Sequence, residues 1–219
     1  MAGSNAAPHA HVAHRQASAR GQQRIKHLSQ HLTVLSANVR GLRTNLGDLT
    51  HNFVLRHQAD IVANTETWLN GEVEAIFGNI PGYTKWVRKN REQRVGGKVA
   101  ACFKHGLQSQ LIDIMLPQGM EAIFFRVVLS DKTGLLLQGR SALDFLTEKV
   151  DTLLQQHRCS HVMILGDLNH HLEQDAFTSL LTVQGLANHM TFPTHERGGS
   201  LDPVLTDLPD SSILCQQLG

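Results

Sequence analysis

The chain changes character near residue 30. Before it, Ala, His, Gln, Ser and Arg dominate, with scarcely an apolar anchor ahead of Ile25. So little apolar area cannot offset the entropy of ordering a backbone, and residues 1–30 read as a disordered, basic and His-rich arm. From residue 31 onward, short apolar runs recur between polar turns. Residues 31–39, 60–66, 82–89, 98–104, 107–116 and 121–129 are rich in Val, Ile, Phe and Trp and predict strands. Residues 45–57 carry Leu46, Leu49, Phe53 and Val54 along one helical face. Residues 142–157 carry Leu143, Leu146, Val150, Leu153 and Leu154 in the same way, and residues 174–183 form a further amphipathic helix. Residues 135–138 are an unusually short apolar piece, and residues 187–200 read as a polar loop. Residues 200–207 predict a last strand, in which Pro203 argues for an edge or a bulge. Strands with helices interleaved predict one α/β layered domain from residue 31 to 219.

At 219 residues, one domain with a sizeable core is expected. Net charge of +1 gives no global electrostatic case for binding nucleic acid, so such a role must rest on a site. The basic lean of the arm comes from Arg15, Arg20, Arg24 and Lys26, with no acidic residue before Asp48; it lacks the apolar stripe of a transit peptide. Lys85, Arg88, Lys89 and Arg91 around Trp86 could touch a phosphate backbone, although a solvated strand face is the simpler reading. Cys102, Cys159 and Cys215 are widely spaced, without a CxxC pair, and read as reduced thiols. No apolar run reaches the ~18 residues of a membrane span, and no signal-peptide core follows Met1. These features predict an intracellular protein, nuclear or cytoplasmic, that is neither secreted nor bound to a membrane.

The candidate chemistry sits at strand ends. In HVMILGDLNHH (residues 161–171) an apolar run meets Gly166 and then Asp167 and Asn169. Two residues apart on extended backbone, these side chains share a side. A carboxylate beside an amide can activate water and hold a phosphoryl oxygen; an Asx turn capping the strand is the other reading. Two other predicted strands carry Asn38 and Glu66 near their ends, and the last strand carries Asp202 near its start. Carboxylate and carbonyl oxygens suit a hard cation, Mg²⁺ or Mn²⁺, beside a phosphate, and no cysteine or histidine cluster has zinc spacing.

SANVRGL, NTETWL, GGKVAACFK, ILGDLNHH and GGSLDPVLTD, in that order, resemble the endonuclease/exonuclease/phosphatase superfamily. More narrowly, they are similar to the endonuclease domain of non-LTR (LINE-type) retrotransposons, over residues 31–219. The resemblance implies a four-layer α/β sandwich, two mixed sheets flanked by helices, here truncated at the C-terminus. It implies DNA as substrate and Mg²⁺ (or Mn²⁺) as cofactor. It makes Glu66 the principal metal ligand and Asn38 its neighbour in the metal and phosphate network. Asp167 would orient or deprotonate the attacking water, Asn169 would donate to the phosphoryl oxygen, and Asp202 would hold the imidazole of a catalytic histidine.

Two departures accompany the matches. The family's Tyr-Arg-Pro segment has no counterpart after Leu137, where Gln138, Gly139 and Arg140 follow at once. The family's closing Ser-Asp-His strand is also missing, and His170, His171, His189 and His195 read as surface residues. An incomplete copy is therefore expected, with the metal half of the site kept, an unpaired sheet edge beside it, and little or no activity. The rival expectations are an active nuclease or phosphatase of the same fold using a substitute histidine, or a non-catalytic remnant that binds nucleic acid or protein.

Overall fold

The computed structural model describes residues 31–69, 77–89, 98–129, 132–140, 143–168, 173–193 and 202–218. The expected arm, Arg91, Asn169, His170, His171 and His195 lie outside the described residues.

Two mixed sheets form the centre. The first contains β1 (Val34–Asn38), β2 (Ile61–Thr65), β3 (Val87–Lys89) and β4 (Val99–Phe103), in the order β1-β2-β4-β3. The second contains β5 (Gln108–Ile112), β6 (Glu121–Val128), β7 (Thr133–Arg140), β8 (His161–Leu165), β9 (Ala187–Asn188) and β10 (Val204–Thr206), in the order β5-β6-β7-β8-β10-β9. β1 runs parallel to β2 and β7 parallel to β8; the other pairings are antiparallel. The helices are α1 (Leu42–Asp48), which continues as a π-helical turn (Leu49–Leu55), α2 (Leu143–Gln156) and α3 (Gln174–Gln184).

Side-chain alternation explains why the central strands read as unbroken apolar runs: both faces are covered. Ile61 and Ala63 of β2 point between the sheets, joining Val99, Ala101, Phe103, Ile123, Phe125, Val127, Leu136 and Leu165. Phe103 and Phe125 meet there edge to face, ring centroids 4.7 Å apart. Val62 points outward under Leu42, Leu49 and Val54. On the far side, Leu135, Leu137 and Ile164 pack beneath Leu143, Leu146 and Val150 of α2 and Phe177 and Leu180 of α3. The layers therefore run helix, sheet, sheet, helix, which is the expected four-layer sandwich.

Several local expectations are corrected. The short piece at residues 135–138 is the middle of the eight-residue β7, paired along its whole length with β6. Its ends, Thr133, Gly134 and Gly139, are not apolar, but ladder hydrogen bonds are made by backbone and do not require apolar side chains. Only Val87–Lys89 of residues 82–89 is strand. Trp86 is buried, its indole N–H donating to the Gly78 carbonyl at 2.7 Å, so it forms no surface patch with its basic neighbours. The helix at residues 45–57 widens to π geometry, in which Leu49 and Val54, five apart, fall one turn apart on the buried face. Pro203 stands just before β10, so its missing N–H leaves that ladder intact, and β10 is internal, between β8 and β9. The loop expected at residues 187–200 opens with β9. β1 is an edge strand of its sheet among the described residues.

Candidate active site

Parallel pairing fixes which strand ends coincide. In the register of β1 with β2, Asn38 stands opposite Thr65, so Glu66 follows on the neighbouring strand. The two loops continue as a ladder: the amides of Val39, Gly41 and Leu42 donate to the carbonyls of Thr65, Glu66 and Thr67 at 3.1, 2.8 and 2.9 Å. In the other sheet, Gln138 stands opposite Leu165, which brings the end of β7 beside Gly166 and Asp167. Val204 pairs antiparallel with Leu165, so Asp202 approaches the same end.

What joins these two edges is a bond between the sheets. The amide of Lys98 donates to Glu121 Oε2 at 3.1 Å, while the Lys98 carbonyl accepts the amide of Thr67 at 3.2 Å. Glu121 opens β6 opposite Arg140, the last residue of β7. The path runs from Glu66 through Thr67, Lys98 and Glu121 to the ends of β7 and β8. Asn38, Glu66, Asp167 and Asp202 therefore lie at one end of the sandwich.

The backbone there is unusual. Six described non-glycine residues have positive φ: Arg40, Gln58, Glu66, Trp68, Lys98 and Arg158. Gln58 and Arg158 end helical segments, where left-handed residues are common. The other four surround this one end, with φ of 41° at Arg40, 52° at Glu66, 51° at Trp68 and 76° at Lys98. Strained backbone persists only where its surroundings impose it, and such strain concentrates at functional sites.

Polar groups complete the end. The Asn38 side-chain oxygen accepts the Arg40 amide at 3.3 Å, an Asx turn. The indole N–H of Trp68 donates to Glu66 Oε2 at 2.9 Å. Asp167 and Asp202 are partly exposed. Gln138 and Thr65 are buried at the same end, and their side-chain polar atoms have no hydrogen-bond partner among the described residues. The carboxylates of Glu66, Asp167 and Asp202 and the side-chain oxygens of Asn38, Thr65 and Gln138 are ligands of the kind that suits a hard cation. Among the described residues, no three His, Cys, Asp or Glu side chains cluster closely enough to hold a metal by themselves. The donor set fits an ion that takes one or two carboxylates and keeps most of its waters, as Mg²⁺ does.

Glu121 and Lys98 are absent from the residues that the sequence points to. A carboxylate opening the run EAIFF is the available signal, since an exposed turn does not need to lead directly into a fully buried strand. His189, expected at the surface, is buried. Its Nε2 lies 2.9 Å from Thr206 Oγ1 and its Nδ1 lies 3.1 Å from Asp210 Oδ1. His161 starts β8, at the opposite end from the site, against Asp207.

The same architecture recurs in known proteins. The chain matches the Endonuclease/Exonuclease/phosphatase family over residues 35–211, and it belongs to that family. Its structure resembles that of a variant of the 3' phosphatase NExo from Neisseria bound to a product DNA hairpin, at 16% identity and TM-score 0.59, covering 80% of this chain and 86% of that one. AP endonuclease LMAP from Leishmania major matches at 14% identity and TM-score 0.58, over 80% of this chain and 78% of that one. The endonuclease domain of TRAS1, a telomere-specific non-LTR retrotransposon, matches at 14% identity and TM-score 0.57, over 80% and 83%. At such identities the likeness shows a shared fold. No curated protein matches the chain. No helix among the described residues is long and apolar enough to cross a membrane.

Proposed function

We propose that this chain is a divalent-metal-dependent phosphodiester-cleaving domain of retrotransposon origin, acting on DNA with little activity. The observation that carries the reading is the convergence of Asn38, Glu66, Asp167 and Asp202 on one strained end of a sandwich of this family. Enzymes of the family generally depend on a divalent metal. The DNA hairpin held by the Neisseria phosphatase and the retrotransposon source of the TRAS1 domain support the substrate and the origin.

Glu66 and Asn38 would hold the cation through oxygen, and the bound ion would supply positive charge to the phosphoryl oxygens. Asp167 takes the proton of the attacking water as the new P–O bond forms. Asn169 donates to a phosphoryl oxygen as charge builds, and the P–O bond to the leaving sugar oxygen breaks. That leaving oxygen needs a proton or an equivalent charge, and the described residues offer little toward it. Asp202 would orient a histidine, but His189 has both ring nitrogens engaged by Thr206 and Asp210. At the end of β7, Gly139 leaves no room for a side chain: a Cβ there would stand 2.2 Å from the Glu121 carbonyl oxygen. This closure favours a second reading, a non-catalytic domain that retains nucleic-acid binding.

Nicking of supercoiled plasmid with Mg²⁺, beside Asp167→Ala, tests the proposal. Slow cutting that the variant loses supports the nuclease reading. Losing one group aligned with transition-state charge costs about 10²–10³ in rate, so robust cutting would overturn the reading of low activity. Binding of DNA with no Asp167-dependent cutting would support the second reading.

A further inference from the structure

Trp68 is 52% exposed, although a large apolar side chain in solvent gains nothing from burial. Three features hold it there. Its φ of 51° is one that non-glycine residues rarely adopt. Its indole N–H is bonded to Glu66 Oε2 at 2.9 Å. The six-membered part of its ring rests on Gly41, where an added Cβ would lie 2.9 Å from Cε3 and 3.3 Å from Cζ3. Glycine at φ 104° therefore supplies the surface beneath the ring, and any side chain at that position would push the ring away. Arg40, exposed and also left-handed, adjoins that glycine. A flat apolar ring is thus fixed to the carboxylate of the site, and the exposed Arg40 is next in sequence to the glycine beneath it.

We propose that the exposed indole of Trp68 is a stacking platform for a nucleobase of the nucleotide that adjoins the phosphate bound at Glu66. The inference rests on the reading of this end as a phosphodiester site and adds what holds the nucleotide there. Every base presents a π face, so a platform of this kind reads no sequence. It takes a base that is single-stranded or swung out of its duplex, because a paired and stacked base offers no free face. Arg40 adds the phosphate-neutralising charge that such sites combine with aromatic rings. The hydrogen bond from the indole to Glu66 sets the distance between base and phosphate.

The chain has two tryptophans, and Trp86 is buried, so the full chain carrying Trp86→Phe reports on Trp68 alone. Single-stranded DNA and an abasic strand of equal length and charge are titrated with Mg²⁺ in chains that also carry Asp167→Ala, so that the cation is kept and nothing is cut. The base-bearing strand is expected to quench Trp68 emission and the abasic strand to leave it unchanged. In the chain otherwise altered only at Asp167, Trp68→Ala should weaken binding of the base-bearing strand by roughly 5- to 140-fold, the equivalent of ~1–3 kcal/mol per stacked base. Binding of the abasic strand should not change. Trp68→Phe keeps a π face and loses the N–H, and it should retain most of the affinity. Equal quenching by both strands, or unchanged affinity in Trp68→Ala, overturns the proposal. Plasmid nicking, scored separately, distinguishes the two readings: Asp167-dependent cutting without a Trp68 response removes only the platform, and a Trp68 response without cutting upholds the platform and removes the hydrolytic role.

Discussion

The amide of Lys98 donates to Glu121 Oε2 at 3.1 Å, and this bond passes from one sheet to the other. Glu121 is 2% exposed, so its removal strands a buried N–H. Leaving such a donor unsatisfied costs about 1–3 kcal/mol. Glu121→Ala should lower the melting temperature by roughly 2–12 °C in a domain of this size, and Glu121→Gln, which keeps an acceptor, by less. An unmoved melt in Glu121→Ala would remove the bond from any structural role.

Gly139 and Gly166 let the ends of β7 and β8 approach without side chains. A Cβ on Gly166 would lie 2.6 Å from the Gly139 carbonyl oxygen, and its φ is 111°. Steric crowding and a left-handed backbone each cost about 1–3 kcal/mol, so Gly166→Ala should be among the more damaging single substitutions. Denaturant midpoints measure it. Gly139→Tyr, which would place a tyrosine at the end of β7, should likewise destabilise the chain and leave nicking no faster.

His189 joins β9 to the turn after β10 through Thr206 and Asp210. His189→Ala removes both contacts from a buried position, with an expected loss of about 1–3 kcal/mol. Catalysis by this ring would predict a different result, an abolished rate with an intact melt. Thermal denaturation and plasmid nicking on the same preparation separate the two.

Burial pushes the Cys102 thiol far above its ordinary 9.0. Burial likewise raises Cys159 and Cys215, and it is the first cause of the raised Tyr83 phenol, with Cys102 and Asp60 adding to it. For these acids the folded chain holds the proton more tightly than the unfolded chain. Their contribution is whole below the ordinary thiol value of 9.0 and is lost as pH rises through the folded value. Urea midpoints should therefore fall as pH climbs above that value, and Cys102→Ala should flatten the decline. A midpoint that holds steady or rises there would contradict the assignment.

The layered architecture and the strand-end polar residues are legible in the sequence for one physical reason. Glu66 and Asp167 each follow a strand whose buried run stops abruptly, and the chain must emerge at such a point; Asn38 is the exposed last residue of the partly buried β1. β7 reads too short because Thr133, Gly134 and Gly139 join a ladder through backbone alone. The π turn escapes because five-residue spacing, as between Leu49 and Val54, has no place in a search for a period of 3.6. The contacts of Glu121 and His189 are illegible for a different reason. Their partners, Lys98 on the other sheet and Thr206 and Asp210 beyond a loop, are neighbours only after folding.

The described strands of the first sheet all precede residue 104, and those of the second all follow residue 107. During synthesis, the first sheet has these strands once Phe103 leaves the ribosome. The inner face formed by Ile61, Ala63, Val99, Ala101 and Phe103 must then wait for Ile123, Phe125, Leu136 and Leu165 to cover it. A nascent chain paused in that interval exposes a large apolar surface, a natural target for chaperones. Glu66 already exists on such a chain, but the residue that ties its loop to the second sheet, Glu121, does not. Covering of the apolar face and completion of the site thus arrive together, when β6, β7 and β8 dock on the first sheet.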